Sequence, residues 1–177
     1  MGIQKLYANQ IIRLQPGLVL DIGCGIGRLL EHLPDAVGID HNPHSIGVAR
    51  QRSFQAFTVQ EFRDSKLCVD QSFDSILLAH VLEHLTPLES LQLITSYLAL
   101  LKPQGKLIIV CPQEAGYRSD ETHTHFLDFS AIEEICRGLG FEIESQKSFP
   151  FPRFMGRLFR YNEFIVSAKR NRNTEIE

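Results

Sequence analysis

The sequence lacks several features that would set it apart from ordinary globular proteins. No apolar stretch approaches the roughly 20 residues of a transmembrane helix. The first residues do not form a basic region followed by an apolar core, so we expect no secretory signal. The four cysteines, at positions 24, 68, 111 and 136, have no C-x-x-C spacing, which argues against a zinc site or a disulfide framework. Reduced cysteines, no membrane partner and a cytoplasmic location are therefore the predictions.

An excess of positive charge is also missing. With 18 lysines and arginines against 21 aspartates and glutamates, the formal net charge is −3, so no global basic field favours nucleic acid as a partner. The 177 residues are 44% hydrophobic and 22% charged, without an internal repeat, which is typical of one globular domain. We predict a single domain over 1–177, with an N-terminal helix at 1–15 and a frayed tail at 169–177. The oligomeric state is left open.

Two phosphate-binding signatures are absent, although the chain has a glycine-rich turn. Residues 19–28 run from an apolar strand through alternate glycines toward a predicted helix that starts at 28–31. Glycines at such a turn permit positive φ and let a ligand approach the backbone closely. Their spacing is neither the G-x-G-x-x-G of dinucleotide-binding folds nor the G-x-x-x-x-G-K-[ST] of phosphate loops. A nicotinamide-dependent oxidoreductase is disfavoured for that reason.

A second carboxylate follows the glycine turn at the interval expected for a parallel strand. Residues 36–39 form a short apolar run that ends at Asp40, seventeen positions after Gly23. In parallel α/β sheets an acid at this place binds ribose hydroxyls. The sequence therefore predicts a site for an adenosine-like cofactor at the carboxyl edge of a parallel sheet.

Several segments resemble, in the right order, the motifs of class I S-adenosylmethionine-dependent methyltransferases. They are Asp21-x-Gly23-x-Gly25-x-Gly27, Asp40, Phe73-Asp74-Ser75-Ile76, Leu82-Glu83-His84-Leu85 and Leu101-Lys102-Pro103-Gln104-Gly105. The resemblance covers nearly the whole chain and is closest to the compact branch that methylates small molecules. It implies a three-layer Rossmann-like α/β fold with a mostly parallel seven-stranded sheet and helices on both faces. It also implies S-adenosyl-L-methionine as the cofactor.

The resemblance assigns cofactor contacts to specific positions. Asp21 is expected to organise the glycine turn and to reach the methionine amino group, and Ala79 and His80 to border the methionine part. A polar residue after the third strand meets the adenine amino group in relatives, where it is usually aspartate; here Gln60 or Glu61 must serve. The predicted cofactor-binding residues are Asp21, Gly23, Cys24, Gly25, Gly27, Asp40, His41, Gln60, Glu61, Ala79 and His80. Within this set Cys24 is interpreted as a small filler of the turn and not as a reactive thiol.

Residues 113–128 form the longest polar connection, and we expect it to overhang the transferred methyl group and shape the substrate pocket. Tyr117 and His123 are its predicted substrate contacts. His125 is the hypothesised general base, since a histidine can take a proton from a hydroxyl or amine. The spacing His123-x-His125 also invites a metal site, but alternate side chains of an extended segment point to opposite sides, so we predict no metal.

Residues 149–161 are rich in aromatic side chains and arginine. A plain hairpin that packs its phenylalanines into the core is the preferred interpretation. The alternatives are a flap over the acceptor, with Arg153 as a substrate contact, or a surface for a partner or RNA.

The sequence thus predicts transfer of a methyl group from S-adenosylmethionine to a small-molecule acceptor by in-line displacement. Oxygen is the preferred acceptor atom, both because of the candidate base and because the Asn/Asp-Pro-Pro-aromatic signature of amine-methylating relatives is missing. Two alternatives stay open at this stage. One is a regulatory module that binds the cofactor without transfer, and the other is a methyltransferase that acts on a glycan or protein.

Overall fold

A computed structural model of the protein describes residues 3–171, and their side chains from residue 5 onward. Its centre is a seven-stranded sheet with the strand order β3-β2-β1-β4-β5-β7-β6. The strands are β1 (Val19–Ile22), β2 (Ala36–Asp40), β3 (Ala56–Thr58), β4 (Phe73–Ala79), β5 (Leu101–Pro112), β6 (Phe141–Phe149) and β7 (Glu163–Arg170). The first five strands are parallel, whereas β7 is antiparallel to both β5 and β6. This architecture confirms the predicted Rossmann-like methyltransferase fold.

Six helices connect the strands or precede them. They are α1 (Ile3–Arg13), α2 (Pro43–Gln51), α3 (Val59–Arg63), α4 (Pro87–Thr95), α5 (Glu114–Tyr117) and α6 (Phe129–Gly138). Single 3₁₀ turns lie at Leu82–His84, Leu98–Leu100 and Arg153–Arg157. No helix in the described range 3–171 has the length and apolar character needed to cross a membrane.

The central strands are buried on both faces, because helices cover the sheet from each side. Ile76 and Leu78 of β4 belong to a core cluster that includes Ile94 of α4 and Ile132 of α6. Leu77, between them, faces the opposite way into a second cluster. That cluster contains Tyr7 and Ile11 of α1. Continuous apolar strands of this kind are typical of parallel sheets with helices on both faces.

Three expectations about local structure need correction. The segment 28–31 is a series of hydrogen-bonded turns and not the start of a regular helix, because Gly27 has a φ of +79° and Pro34 follows within seven residues. Lys169 and Arg170 continue β7 and are not part of a frayed tail, while residues 172–177 lie outside the described range. Residues 149–161 do not bury all their aromatic side chains. Phe151, Phe154, Leu158 and Tyr161 are 44%, 68%, 79% and 46% exposed.

Capping residues in the sequence predict three helix starts, after Asn42, Thr86 and Ser130, and the structure confirms the first two. Asn42 caps α2 and Thr86 caps α4, each followed by a proline at the first helical position. The third cap is Asp128 and not Ser130, because the Asp128 carboxylate accepts the Ala131 N–H at 3.0 Å and the helix begins two residues earlier.

The cap assignment has a measurable consequence. Asp128→Ala should lower the free energy of unfolding by about 1 kcal/mol, since it removes the side-chain acceptor at the first turn of α6. Ser130→Ala is the matched control, with an exposed position inside the helix and an expected change within about 0.5 kcal/mol. Urea denaturation of the two variants measures both values. A larger loss for Ser130→Ala would contradict the assignment.

Candidate active site

A cavity of about 660 Å³ lies at the carboxyl edge of the sheet. One half is bordered by β1 and the glycine turn, which we define as residues 23–27. The other half is bordered by the ends of β4 and β5 and the beginning of β7, because an antiparallel strand starts where its parallel neighbours end. The lining of the first half includes Asp21, Gly23, Cys24, Gly25, Arg28 and Ser45. That of the second half includes Pro112, Asp120, His123, Arg160, Tyr161 and Glu163.

The three glycines of the glycine turn all have positive φ, but only one opens onto free space. A Cβ at Gly23 would lie 2.5 Å from a methyl carbon of Val81, and a Cβ at Gly27 would lie 2.5 Å from the ring of Phe54. At Gly25 a Cβ would meet no atom of the described residues within 4 Å. Gly23 and Gly27 are therefore required by packing, whereas Gly25 leaves its backbone accessible from the cavity.

Asp21 is the penultimate residue of β1 and lines the cavity, with only 2% of its surface exposed. Burial, and to a lesser extent the neighbouring Asp40 carboxylate, raises the pKa of Asp21 to about 7. None of the described residues donates a hydrogen bond to it. A buried carboxylate in this state favours a cationic ligand, because a positive charge would offset the cost of burying its negative charge.

Asp40 stands behind the glycine turn. Its Oδ2 accepts the Gly25 N–H at 2.9 Å and its Oδ1 accepts the Asn42 N–H at 2.8 Å, so Asp40 holds the turn in shape. It does not line the cavity, although each carboxylate oxygen keeps a second lone pair. His41 points away, with 93% of its side chain exposed and its Nδ1 3.4 Å from the Asp40 Oδ1. The ribose contact of Asp40 and any contact of His41 stay predictions.

Cys24 lies inside the glycine turn and lines the cavity. A Cβ at Gly38 would lie 2.6 Å from the Cys24 Sγ, so the thiol occupies the space that glycine leaves in β2. Burial, followed by the Asp21 and Asp40 carboxylates, raises the pKa of the Cys24 thiol. A thiol with a raised pKa is a poor nucleophile, which supports its interpretation as a filler.

The two adenine candidates, Gln60 and Glu61, begin α3 and do not line the cavity. The Glu61 carboxylate accepts the Thr58 N–H at 2.8 Å and two hydrogen bonds from Arg50, at 3.1 and 2.8 Å. This capping box and ion pair occupy Glu61. Gln60 donates only to Asp64 at 3.0 Å, so it is the more available of the two for an adenine contact.

Ala79 and His80 line the middle of the cavity, as expected of residues at the end of β4. His80 has a left-handed φ of +58° and donates its backbone N–H to the Val110 oxygen at 2.9 Å. Its ring lies between two buried carboxylates, with Nε2 3.0 Å from the Glu163 Oε1 and Nδ1 3.3 Å from the Glu83 Oε1. Burial opposes the charged ring, but the two carboxylates outweigh it and raise the pKa of His80 to about 10.

The loop histidines are placed differently from one another. His123 lines the cavity, and its Nδ1 lies 2.8 Å from the backbone carbonyl oxygen of Tyr117. The Tyr117 ring stacks on the His123 ring, with the ring centroids 5.5 Å apart. Tyr117 itself is not part of the lining. His125, the hypothesised base, does not line the cavity either, and its backbone N–H donates to the backbone carbonyl oxygen of Glu83 at 3.1 Å. The structure thus gives no support to His125 as the base, and that role stays a prediction.

Glu83, His84 and His123 bring one potential ligand atom each within 4.8 Å of one another. His125 is not a member of this group, so the His123-x-His125 pattern is not what assembles it. His84 is already bonded through Nδ1 to the hydroxyl and carbonyl oxygens of Thr122, at 3.1 and 3.2 Å. The absence of a metal stays a prediction.

Arg153, the predicted substrate contact, has another role. Its guanidinium forms two hydrogen bonds to the Glu114 carboxylate, at 2.7 and 2.6 Å, and lies 4.7 Å from the centre of the Phe164 ring. It thereby fixes the 3₁₀ turn of residues 153–157 to α5 and does not line the cavity. Arg160 and Tyr161 of the same connection do line it.

Tyr7 and Glu163 are cavity residues that the sequence interpretation missed. Both had a signal. Tyr7 lies on the apolar face of the predicted N-terminal helix, together with Ile11, which also lines the cavity. Glu163 is an acid directly before the apolar run of β7, and a strand antiparallel to its neighbour β5 begins at the carboxyl edge of the parallel strands.

Comparison with known proteins agrees with this geometry. A family model described as a methyltransferase domain matches residues 3–146. A ubiquinone biosynthesis O-methyltransferase from Haemophilus ducreyi is 34% identical over 104 residues, covering 51% of this chain and 43% of that protein. A mitochondrial protein of the same name from Mus musculus is 28% identical, covering 78% and 45%. The chain thus spans less than half the length of these curated relatives.

Solved structures share the fold at low identity. A SAM-dependent methyltransferase from Archaeoglobus fulgidus superposes with a TM-score of 0.69 at 22% identity, covering 96% of this chain and 95% of that one. A 1,6-didemethyltoxoflavin-N1-methyltransferase from Burkholderia thailandensis, crystallised with S-adenosylhomocysteine, gives 0.66 at 19% identity, covering 96% and 79%. The family match and the shared fold confirm the resemblance seen in the motifs: this chain belongs to the methyltransferase-domain family, in the class I S-adenosylmethionine-dependent group.

Proposed function

We propose that this protein transfers a methyl group from S-adenosylmethionine to a hydroxyl of a small-molecule acceptor. The observation that carries the proposal is the accessible backbone at Gly25, which opens onto a cavity beside the buried Asp21 carboxylate. A ligand with an adenosine and a cationic amino-acid tail fits both features. The adenosine can approach the bare backbone, and the ammonium group can meet the carboxylate.

The residues of the first half of the cavity have defined tasks in this proposal. Asp21 binds the ammonium group, and Asp40 keeps the glycine turn in shape and contributes its free lone pairs to the ribose. Gln60 is the adenine partner, and Ala79 and His80 border the methionine part. When bound, S-adenosylmethionine supplies a methyl group on a sulfonium, which is an excellent leaving group. The protein's contribution is therefore chiefly orientation, which can lower a barrier by roughly 7 to 11 kcal/mol.

The second half of the cavity supports a small acceptor with a hydroxyl group. Glu163 lines it with a carboxylate oxygen that receives no hydrogen bond from the described residues, and such an oxygen needs a donor. Apolar side chains of Ile11 and Ile165 line the same cavity, which suits an acceptor with an apolar body. The curated relatives named as O-methyltransferases favour oxygen over nitrogen. A cytoplasmic location, a single domain and no nucleic-acid partner are part of the same proposal.

The test has two stages. Calorimetry and thermal shift should show binding of S-adenosylmethionine and S-adenosylhomocysteine but not of NAD, because the glycine spacing does not suit a dinucleotide. Transfer is then measured with methyl-labelled S-adenosylmethionine and catechol, a small diphenol, with aniline as the matched amine. Labelled O-methyl catechol is the expected product. Preferential binding of NAD, or methylation of aniline alone, would contradict the proposal, and cofactor binding without transfer to any acceptor would favour a regulatory module.

A further inference from the structure

His80 and Glu163 line the cavity, and His80 also contacts a second buried acid, Glu83, which does not line it. His80 follows the last residue of β4, and Glu163 is the first residue of β7, opposite Pro112 of β5. Glu83 belongs to the 3₁₀ turn after His80. His80 and Glu83 are neighbours in the sequence, whereas Glu163 lies far along the chain from both. The antiparallel course of β7 brings Glu163 to the other two.

Three buried carboxylate oxygens lack a hydrogen-bond partner among the described residues, both oxygens of Glu83 and the Glu163 Oε2, and of these two acids only Glu163 lines the cavity. The His80 ring uses Nε2 toward the Glu163 Oε1, at 3.0 Å, and Nδ1 toward the Glu83 Oε1, at 3.3 Å. The Glu163 Oε2 is buried and has no hydrogen-bond partner in the described part of the chain, although its residue lines the cavity. Glu163 and Glu83 are 5% and 0% exposed, so neither is a solvated surface acid. An oxygen in this position is satisfied when a bound molecule donates to it.

The groups around Glu163 decide how readily it takes up a proton. Burial raises its pKa, and the Glu83 carboxylate acts in the same direction, whereas the charged His80 ring and Tyr7 oppose the increase. The Tyr7 hydroxyl donates to the Tyr161 oxygen, and burial together with Glu163 raises the pKa of Tyr7, so it keeps its proton. The pKa of the Cys111 thiol is also raised, because the thiol is buried and the Glu83 and Glu163 carboxylates act on it. Glu163, with a raised pKa and an unpartnered oxygen at the cavity, is thus the group here that is suited to accept a proton.

We propose that Glu163 accepts the proton of the acceptor hydroxyl and that His80 is the positioning residue that aims its carboxylate into the cavity. This inference rests on the proposed function and names the base for the same transfer. As the acceptor oxygen gains the methyl carbon, the carbon–sulfur bond breaks with its electron pair going to sulfur. The hydroxyl proton passes to the Glu163 Oε2. His80 stays protonated between the two acids and fixes the orientation of that oxygen.

The decisive variant is Glu163→Gln, with Glu163→Asp as a conservative replacement and Glu134→Gln as the control. Glu134 is an exposed residue of α6, so its change removes the same charge at a distance from the cavity. Single-turnover transfer to catechol is measured at saturating S-adenosylmethionine over pH 5 to 10. S-adenosylhomocysteine binding and the melting temperature are measured alongside. Saturation removes the titration of Asp21 from the profile, because the cofactor is already bound.

For the native protein the rate should rise with pH as Glu163 loses its proton and fall as the pH approaches about 10, where His80 loses its own. Glu163→Gln should lower the rate by about 100-fold and remove the rise at acidic pH, since a positioned base typically contributes that much or more. Cofactor binding should stay within about threefold, a change of under 1 kcal/mol. Glu163→Asp should keep part of the rate, and Glu134→Gln all of it. A Glu163→Gln rate within about threefold of the native one, with its acidic limb intact, would overturn the inference.

A second measurement needs no turnover. The His80 ring signal, assigned by its loss in His80→Gln, is followed by NMR as the pH is raised with S-adenosylhomocysteine bound. It should stay in the protonated form through pH 8 in the native protein and titrate at a lower pH in Glu163→Gln, since the acid that holds the proton is gone. An unchanged His80 titration would show that the pair does not exist in solution and would overturn the positioning role. Failure of the proposed function is distinct, because the native protein itself would then transfer no methyl group.

Discussion

Replacing Gly25 by leucine should abolish cofactor binding while the protein stays folded. The added side chain meets no atom of the described residues within 4 Å of its Cβ and extends into the cavity, so the fold has nothing to rearrange. The ligand, by contrast, loses the space in which it approaches the backbone. We expect the affinity for S-adenosylhomocysteine to fall by about 100-fold or more, which corresponds to roughly 2.8 kcal/mol.

Part of any change at this position comes from backbone strain, since the φ of Gly25 is +54°. Gly25→Ala shares that strain, of the order of 1 kcal/mol, but adds only one methyl group. The difference in affinity between the leucine and alanine variants therefore reports the occupied space. Gly27→Ala is the contrasting variant, because its Cβ would lie 2.5 Å from the Phe54 ring and should lower the melting temperature instead. If Gly25→Leu bound the cofactor normally, the ligand would not lie against the glycine turn and the proposed function would be lost.

The first half of the cavity was accessible from the sequence, because the signals for it are local. An apolar strand, alternate glycines and an acid at the end of the next strand lie within about twenty residues, and each follows directly from backbone geometry. The structure adds which glycines are required by packing and which one leaves its backbone accessible. Gly23 and Gly27 are needed because Val81 and Phe54 occupy their flanks, and these contacts depend on tertiary packing that no spacing rule contains.

Most of the second half of the cavity could not be predicted from the sequence. Glu163 reaches His80 only because β7 runs antiparallel to β5 and pairs with it, and the pairing of strands that are distant in the sequence is a tertiary property. His125, the hypothesised base, is absent from the cavity lining for a related reason. The backbone N–H groups of Thr124 and His125 both donate to the backbone carbonyl oxygen of Glu83. Of the two loop histidines, it is His123 that lines the cavity. The capping box of Thr58 and Glu61 is a local pattern that the sequence interpretation did not use to choose between Gln60 and Glu61.

Asp21→Asn should raise the stability of the free protein and weaken cofactor binding at the same time. The folded protein holds the Asp21 proton up to a pKa of about 7, well above the ordinary value near 3.8. A raised acid pKa means that stability from this group is fully present below about pH 4 and is lost as the pH rises through 7. The native protein and Asp21→Asn should therefore be equally stable at pH 4. By pH 8 the variant should be more stable, by a free energy of unfolding of the order of 4 kcal/mol.

Cofactor binding should move in the opposite direction. Only the ionised carboxylate attracts the ammonium group, and with a pKa of about 7 roughly a tenth of the native protein is ionised at pH 6 and nine-tenths at pH 8. The affinity of the native protein for S-adenosylhomocysteine should therefore increase about tenfold over that interval. Asp21→Asn should bind more weakly than the native protein at pH 8 and show little dependence on pH.

Asp35→Asn is the matched control for both measurements, because Asp35 is an exposed acid just before β2 and loses the same charge. It should change neither the pH dependence of stability nor that of binding. Denaturant titrations at pH 4 and 8, with calorimetry at pH 6 and 8, complete the comparison. An Asp21→Asn variant that is less stable than the native protein at pH 8 would show that a partner in solution satisfies the carboxylate. In that case the buried Asp21 carboxylate would stabilise the fold and would not serve to bind a cation.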